Sequence, residues 1–246
     1  MKIDAILTPA ELAALKQRDL GDTVCIVFDV LRATSTFVTA LENGAKCVIP
    51  VSSIDEALAI KKQRPEVLLA GERDGLKIRP ELTGGVAFDL GNSPREFMPE
   101  KIHGQTIVST TTNGTHALRV CAGAKMVLVS SFLNLSATVQ FLKQTKFENI
   151  LTVCAGTGEG SALEDVLAAG NLCAQMAGKF TDAAQIARGV YESARFDLGA
   201  AVCSSANAQR LLAIPELRGD VSFCLREDEI GLVAVLGADG AIDALV

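Results

Sequence analysis

An acidic and a basic side chain, followed by hydroxyl residues, come directly after an apolar run at residues 24–28 of this sequence. A carboxylate such as Asp29 can bind a hard cation such as Mg²⁺, and a guanidinium such as Arg32 can hold a phosphate through two hydrogen bonds. Three consecutive hydroxyl residues with free backbone amides can complete an anion site, and these are Thr34, Ser35 and Thr36. The structural alternative is a helix cap with an Asp29–Arg32 salt bridge, but three hydroxyls exceed what one cap needs.

A similar order of acid, base and glycine follows a second apolar run at residues 68–70. Gly71, Glu72, Arg73 and Gly75 come next, and glycines let a backbone approach a ligand closely. An exposed charged turn is nearly as good an interpretation of this segment when it is taken alone.

The sequence Gly-Asn-Ser-Pro-Arg-Glu at residues 91–96 predicts the start of a helix. Ser93 would be the N-cap, Pro94 the first helical residue and Glu96 the third, which together make a capping box. Asn92 and Ser93 remain candidate substrate-binding residues beside that structural role.

Residues 109–116 form a dense run of hydroxyl and amide groups after a third apolar run. Such groups are neutral hydrogen-bond donors, which suit an oxyanion without adding a full charge. Polar filler around a common Asn-Gly turn is the alternative. The candidate binding residues here are Thr110, Thr111, Asn113, Gly114 and Thr115.

Glycines follow a fourth apolar run, at Gly156, Gly158 and Gly160, and precede a helical pattern. This arrangement lets backbone amides close on a phosphate. Glu164 and Asp165 fall in the first turns of that helix, where either could ligate a metal. Compensation of the helix dipole explains each acid about equally well.

Hydrophobic periodicity predicts the elements that must bring these turns together. Short β-rich apolar runs alternate with helical patterns, which is typical of an α/β layered fold with a largely parallel sheet. The predicted strands are residues 23–28, 46–50, 66–70, 105–109, 126–130, 150–154, 221–225 and 232–236. The predicted helices are residues 35–43, 54–63, 94–98, 116–121, 135–145, 163–180 and 182–194. A weak repeat of strand, hydroxyl-rich turn and helix leaves two similar lobes open. In parallel sheets ligands bind beyond the carboxyl ends of strands, where these turns lie.

Composition excludes several classes of protein. The chain has 246 residues, with 23 Lys and Arg against 29 Asp and Glu, a net charge of −6. Without basic clusters it does not fit a nucleic-acid binder. Its apolar stretches are far shorter than the roughly 20 residues that cross a bilayer, so we expect no membrane association. We expect no signal peptide, a cytoplasmic location and a single domain over residues 1–246. Seven scattered cysteines without a C-x-x-C pair predict reduced core thiols.

Signatures of several other enzyme classes are absent from the sequence. It contains no G-x-G-x-x-G, no P-loop and no G-x-S-x-G elbow. Leu31 stands where an aspartyl-phosphate phosphatase has its second Asp, and no cysteine is followed six positions later by arginine. Dinucleotide-binding, kinase-like, serine-hydrolase and cysteine-phosphatase interpretations are therefore disfavoured.

Taken together, these turns resemble the 2-phosphosulfolactate phosphatase family of coenzyme M biosynthesis. The blocks that carry the resemblance fall in order, at residues 28–36 (FDVLRATST), 70–73 (AGER), 89–94 (DLGNSP), 109–115 (STTTNGT), 131–134 (SFLN), 154–156 (CAG) and 163–165 (LED). A looser likeness follows at residues 220–224. One departure from the simplest pattern is the extra threonine in residues 110–112.

The resemblance implies a Mg²⁺-dependent phosphatase with a three-layer α/β/α fold that hydrolyses (2R)-phospho-3-sulfolactate. It makes Asp29 the leading metal ligand, with Glu72 and the Glu164-Asp165 pair as further candidates. Arg32 and the hydroxyls at residues 34–36 would clamp the phosphate, with Gly156 among the binding residues. Whether Asp29 instead attacks phosphorus directly stays open. The sulfonate needs its own donors, and the basic side chains nearest in sequence are Arg73, Lys77 and Arg79.

Two other functions stay open beside this one. The first is a Mg²⁺-dependent phosphatase of another small phosphorylated carboxylic acid. The second is a non-catalytic module that binds phosphorylated metabolites. The expected partner in each case is a small phosphorylated acid, and a homodimer is kept open as the assembly.

Overall fold

The computed structural model describes residues 1–245, which build one 11-stranded sheet with α-helices packed on both faces. The strands are β1 (Lys2–Ile6), β2 (Thr23–Phe28), β3 (Cys47–Pro50), β4 (Leu68–Arg73), β5 (Leu76–Lys77), β6 (Thr106–Thr110), β7 (Met126–Ser130), β8 (Asn149–Cys154), β9 (Lys179–Phe180), β10 (Val233–Leu236) and β11 (Ile242–Leu245). The helices are α1 (Pro9–Leu15), α2 (Ala33–Glu42), α3 (Ile54–Gln63), α4 (Pro99–Ile102), α5 (Gly114–Val120), α6 (Leu135–Thr145), α7 (Leu163–Gln175), α8 (Asp182–Ala194), α9 (Leu198–Cys203), α10 (Ala206–Ala213) and α11 (Arg218–Cys224).

The sheet consists of two parallel groups of strands joined by a hairpin. Its order is β5-β4-β6-β3-β11-β10-β7-β2-β8-β1-β9. Strands β4, β6 and β3 are parallel to one another, and so are β7, β2, β8, β1 and β9. The β10–β11 hairpin pairs antiparallel with β7 on one side and β3 on the other. Because three antiparallel steps separate β7 from β3, the two groups run in opposite directions.

Strand β2 shows why the fold has three layers. All six of its residues are buried, as expected of a parallel strand covered on both faces. Val24, Ile26 and Phe28 pack into a core that includes α6, α7 and α8, while Cys25 and Val27 pack on the opposite side with α1, α2 and α5. The alternation of side chains along a strand therefore feeds two separate cores, and the expected α/β fold with helices on both faces is confirmed.

Most predicted strands are present within two or three residues of their predicted ends. β2 and β7 match the predictions in full, and the other predicted strands in the first 154 residues correspond to β3, β4, β6 and β8. The sequence reading missed four strands, which are β1, β5, β9 and β11.

Three predicted elements are wrong, and one of them is the helix predicted at residues 94–98, where the structure has only the 3₁₀ turn Pro94–Glu96. Residues 221–225 alternate apolar and small side chains and were expected to form a strand, but they lie largely in α11. The buried residues Leu217, Asp220, Val221 and Cys224 recur every three or four positions, which is the period of a helix. The helix predicted at residues 163–180 ends at Gln175, because the chain then turns to add the short edge strand β9.

Over residues 1–245, no helix combines the length and the apolar character that crossing a bilayer requires. All seven cysteines are free, and five are buried. Burial raises the pKa of the Cys173 and Cys224 thiols to about 12. These thiols therefore act as small apolar side chains of the core, in agreement with their sequence surroundings.

Candidate active site

One small cavity collects turns that follow strands from both parallel groups. Its volume is about 250 Å³, and polar side chains dominate its lining. The turns after β2, β4, β6 and β8 all contribute to it, although their strands belong to groups that run in opposite directions. Seven of the predicted site residues line it, namely Asp29, Arg32, Glu72, Asn92, Thr111, Asn113 and Gly156.

Asp29 lies at the carboxyl end of β2 in a tightly packed position. Its Oδ1 atom accepts a hydrogen bond of 3.1 Å from the Ala33 amide. Gly114 packs so close that a Cβ atom there would lie 2.5 Å from Asp29 Oδ2, so this approach requires a glycine. Burial raises the pKa of Asp29 to about 7; the Ala33 hydrogen bond opposes that rise, and the charges of Glu72 and Glu164 add to it.

Glu72, near the end of β4, is held by donors on both carboxylate oxygens. Oε1 accepts hydrogen bonds of 2.9 Å from the amide and the hydroxyl of Thr112, and Oε2 accepts one of 2.7 Å from the Gly75 amide. Asp74 lies between Glu72 and Gly75 in the chain and adopts a φ of +56°, which lets the backbone turn back toward the Glu72 carboxylate. The charge of Glu72 is therefore fixed at the wall of the cavity, within electrostatic reach of Asp29.

The structural alternative of an Asp29–Arg32 salt bridge is wrong, because Arg32 pairs with other groups. Its Nη1 atom donates to Asp220 Oδ2 at 2.7 Å, and its Nη2 atom donates to the Gly75 carbonyl. The Arg32 and Asp220 side chains are 3% and 0% exposed, so this is a buried ion pair. Ser93 donates to the other Asp220 oxygen at 2.6 Å. The guanidinium is thus anchored from behind by α11 while its residue lines the cavity.

The three hydroxyls that were expected to clamp phosphate bond backbone groups of the protein instead. Thr34 Oγ1 accepts from the Asp29 amide, Ser35 Oγ donates to the Val30 carbonyl, and Thr36 Oγ1 donates to the Asn92 carbonyl. All three residues are fully buried. The structure does not bring them to the cavity, and their contacts fasten the turn that carries Asp29 and Arg32.

The hydroxyl-rich run divides between the cavity and its support. Thr111, Thr112 and Asn113 line the cavity, and the Asn113 amide donates to carbonyls of the glycine turn after β8 at 3.0 Å. Thr110 lies outside the cavity, where its hydroxyl accepts from Arg73 Nη2. The Thr115 hydroxyl and the backbone of Thr111 bond each other across the helix start.

Asp165 and Glu164 lie behind the cavity at the start of α7. Asp165 accepts hydrogen bonds from the Val30 amide at 2.8 Å and the Gly156 amide at 3.0 Å, so it ties the turn after β2 to the turn after β8. Burial and the charges of Asp29 and Glu164 raise its pKa well above the ordinary value. Glu164 is fully buried, and among residues 1–245 its Oε2 atom has no hydrogen-bond partner.

The predicted capping box at Ser93 is wrong in its details. The segment Pro94–Glu96 is a single 3₁₀ turn, and Ser93 makes no cap hydrogen bond because its hydroxyl bonds Asp220 instead. Glu96 accepts from the Gly91 amide at 2.9 Å rather than from the N-cap residue. Ser93 therefore supports the cavity from behind.

The oxygen atoms at the cavity fit a magnesium ion. Across residues 1–245, no three His, Cys, Asp or Glu side chains form a ready-made ligand cluster. Mg²⁺ sites, however, use one or two carboxylates completed by water and substrate phosphate rather than all-protein cages. Asp29 and Glu72 supply two such carboxylates at one cavity. Asn92 also lines the cavity, and its buried Oδ1 atom has no hydrogen-bond partner in the described part of the chain, so it is a further oxygen for a cation.

Comparison with known proteins decides the family. A family model described as 2-phosphosulpholactate phosphatase matches residues 8–239. The chain belongs to the 2-phosphosulfolactate phosphatase family.

Relatives with this description cover nearly the whole chain. A probable 2-phosphosulfolactate phosphatase of Thermotoga petrophila is 44% identical over 212 residues, which span 86% of this chain and 88% of that protein. Proteins with the same description from Caldanaerobacter subterraneus and Clostridium perfringens are 36% and 37% identical, over 91% and 95% of this chain and 91% and 92% of their own lengths. The likeness therefore extends well beyond the strand-end motifs.

Sequence reasoning missed one wall of the site in this member of the 2-phosphosulfolactate phosphatase family. Asn207 and Arg210 of α10 line the cavity, and Asp220 of α11 anchors Arg32. Asp220 had one signal in the sequence, the loose likeness at residues 220–224, whereas Asn207 and Arg210 had none; all three lie inside the range matched by the family model. The structure leaves Arg73, predicted as a binding residue, outside the cavity lining, where it donates to Thr110.

Proposed function

We propose that this chain hydrolyses the phosphate monoester of 2-phospho-3-sulfolactate to 3-sulfolactate and inorganic phosphate, with Mg²⁺ as its cofactor. The observation that carries the proposal is the meeting of Asp29, Glu72 and Arg32 in one small cavity of a member of this family. Hydrolysis of a phosphate ester requires positioning and charge neutralisation more than covalent chemistry from the protein. The two carboxylates and the buried arginine supply both.

Arg32 is the residue proposed to hold the phosphate. Its bonds to Asp220 and Gly75 fix the plane of the guanidinium before substrate arrives, and its remaining N–H groups are free for phosphate oxygens. Because this orientation is set in advance, little side-chain entropy is lost when the ester binds. The glycine turn after β8 also lines the cavity, where the Gly158 amide is a candidate neutral donor, whereas the Gly156 amide already donates to Asp165.

Asp29 and Glu72 are the residues proposed to hold Mg²⁺, with Asn92 Oδ1 as a neutral oxygen. The bound ion supplies Lewis-acid polarisation of the phosphoryl group and offsets the repulsion between the two carboxylates and the ester. The protonation state of Asp29 depends more strongly on a bound cation than that of Glu72 does, because Asp29 is buried beside other carboxylates. Its preference for a proton in the absence of a cation makes it the group that best reports cation binding.

The wider setting of the enzyme is also a proposal. Seven free cysteines, mostly buried, are in agreement with a cytoplasmic location, where thiols stay reduced. The proposed substrate places the activity in coenzyme M biosynthesis. A homodimer stays a prediction, which light scattering coupled to gel filtration tests.

A phosphate-release assay tests the proposal directly. Purified protein is incubated with 2-phospho-3-sulfolactate, with and without a chelator, beside a panel of other phosphorylated carboxylic acids. We expect release from the sulfonated ester, loss of activity with chelator, and recovery with Mg²⁺. Faster release from another acid would favour the broader phosphatase, whereas tight binding without release would favour the non-catalytic module.

A further inference from the structure

Two arginines line the cavity, and they differ in how much of their charge is already used. Arg32 is buried and paired with Asp220. Arg210 of α10 is exposed, and within residues 1–245 it has no carboxylate within salt-bridge distance. Arg210 is therefore the cation at the cavity whose charge remains available to a ligand.

The position of Arg210 is fixed by the residue one turn before it. Its Nη2 atom donates to Asn207 Oδ1 at 2.8 Å. Asn207 is 5% exposed, and its Nδ2 atom donates to the Leu31 carbonyl at 2.6 Å and to Glu164 Oε1 at 2.9 Å. One buried amide thus connects the exposed guanidinium to the turn that carries Arg32 and to the carboxylates behind the cavity. An arginine that served only solubility would not need such a tether.

The charges at the cavity call for a second cation. Asp29, Glu72 and Asp74 line it, and the charge of Arg32 is already balanced by Asp220. The proposed substrate carries a carboxylate and a sulfonate in addition to its phosphate. The sulfonate lies one bond farther from phosphorus than the carboxylate does, so it extends farthest from Arg32 when the phosphate is held there.

The basic side chains nearest to the motifs in sequence do not meet this need. Arg73 donates to the Thr110 carbonyl and hydroxyl, and neither Lys77 nor Arg79 lines the cavity. The cation for the second anion comes instead from α10, more than 130 residues later in the chain.

We propose that Arg210 binds the sulfonate of the substrate and sets the preference for sulfonated over plain phosphorylated 2-hydroxy acids, with Asn207 as its positioning residue. This inference rests on the proposed function. In this proposal the strand-end turns bind the phosphate, and α10 determines which ester the enzyme prefers.

The test measures kcat and KM of the full chain on three esters. These are 2-phospho-3-sulfolactate, 2-phospholactate, which lacks the sulfonate, and O-phosphoisethionate, which keeps the sulfonate but lacks the carboxylate. The variants are Arg210→Gln and Arg210→Lys. The control is Arg195→Gln, which removes another exposed positive charge, from a guanidinium that lies over Phe196 and does not line the cavity.

We expect Arg210→Gln to lower kcat/KM on both sulfonated esters about 30-fold, mainly through KM, the size of a lost charge-assisted contact. On 2-phospholactate its kcat/KM should stay within about threefold of wild type, because the phosphate site is intact. On the sulfonated esters, the kcat/KM of Arg210→Lys should lie between those of wild type and Arg210→Gln, since the Lys ammonium keeps the charge but not the planar fork of the guanidinium. Arg195→Gln should match wild type on all three esters.

Several outcomes would overturn the inference while leaving the proposed function standing. They are an equal loss on all three esters, a selective loss on the two esters that carry a carboxylate, or no change in Arg210→Gln. If the wild-type enzyme releases no phosphate from 2-phospho-3-sulfolactate, the proposed function fails, and the role of Arg210 fails with it.

Discussion

The two sides of the cavity are built differently. The strand-end side consists of Asp29, Glu72, Thr111, Thr112, Asn113 and Gly156, each in a turn at or just after a strand. The helical side consists of Asn207 and Arg210 of α10 and Asp220 of α11. The strand-end side concentrates carboxylates and neutral donors. The helical side supplies Arg210, which has no carboxylate partner among residues 1–245, and the anchor of Arg32.

Under the proposed roles, the strand-end side carries out the chemistry and the helical side selects the ligand. Carboxylates that hold a cation must be rigid, and parallel strands fix their ends through the sheet. A group that chooses between related esters can sit on a helix at the rim, because replacing it leaves the phosphate site unchanged. Substitutions on the strand-end side should therefore reduce turnover most. Substitution of Arg210 on the helical side should mainly change the preference between esters.

The largest effect is expected from Asp29→Asn on the strand-end side. Asn keeps the acceptor for the Ala33 amide but removes the charge proposed to hold Mg²⁺. We expect turnover to fall about 10³-fold or more, as for loss of a principal electrostatic group in other active sites, with an unchanged circular dichroism spectrum. Phosphate release at saturating Mg²⁺ measures it.

The matched control for this prediction is Asp55→Asn, which removes an exposed carboxylate in the first turn of α3. It should leave turnover at the wild-type rate. A near-wild-type rate for Asp29→Asn would show that the strand-end carboxylate is not needed, and the contrast between the two sides would disappear.

A smaller effect is expected from Asp220→Asn on the helical side. The change leaves the Arg32 guanidinium buried with an uncompensated charge and a poorer anchor. We expect a loss of about 3 kcal/mol in the free energy of unfolding and about a 30-fold fall in kcat/KM. Urea denaturation and steady-state kinetics measure the two quantities.

Arg95→Gln is the control for that variant. Arg95 is the second, longer partner of Asp220, at 3.4 Å, and its side chain is 47% exposed. Removing an exposed partner should cost less than about 1 kcal/mol. If Arg95→Gln and Asp220→Asn had equal effects, the anchoring of Arg32 would not depend on the buried bond.

The last prediction concerns stability against pH in the presence of a chelator, where the effect on the free energy of unfolding is no larger than that of Asp220→Asn. The pKa of Asp29 is about 7 in the fold, against 3.8 for an unperturbed carboxyl. The folded state therefore keeps a proton that the unfolded chain has already lost, so stability falls as pH rises through this window and levels off above about 7. Asp165 shifts in the same direction.

For Asp29 alone, the fall amounts to at most about 3 kcal/mol between about pH 5 and pH 7, from about 1.36 kcal/mol per pH unit for one proton. Calorimetry of wild type and Asp29→Asn across this range measures it. The variant should show a flatter dependence, and added Mg²⁺ should raise the Tm of wild type at pH 8 more than that of the variant. If stability fell with pH equally steeply in wild type and in Asp29→Asn, the raised pKa of Asp29 would be contradicted.

The strand-end side could be predicted because its signal is local. An apolar run that is followed closely by an acid and a base, as at Phe28, Asp29 and Arg32, predicts a buried strand. It also predicts that the turn after the strand lies at an edge of the sheet. Which hydroxyl faces the cavity could not be predicted, because Thr34 and Thr111 look alike in sequence. Their roles are set by contacts such as that of the Thr34 hydroxyl with the Asp29 amide.

The helical side could not be predicted because its residues depend on distant partners. Asp220 meets Arg32 across 188 positions, and Asn207 meets Leu31 across 176. Apart from the loose family likeness at residues 220–224, nothing near residue 220 indicates that its carboxylate will be buried against Arg32. The apolar alternation after it even suggested a strand, since the helical spacing of its buried face becomes visible only once packing is known.

The β10–β11 hairpin has a consequence for how the molecule is assembled. Within the sheet that residues 1–245 form, the two parallel groups are joined through these strands, which come last in chain order. During synthesis the turns that carry Asp29 and Glu72 leave the ribosome long before the strands that join their groups. A cavity shared between the groups therefore matures late, when translation is nearly finished, and a nascent chain stalled before residue 233 should lack a stable cavity.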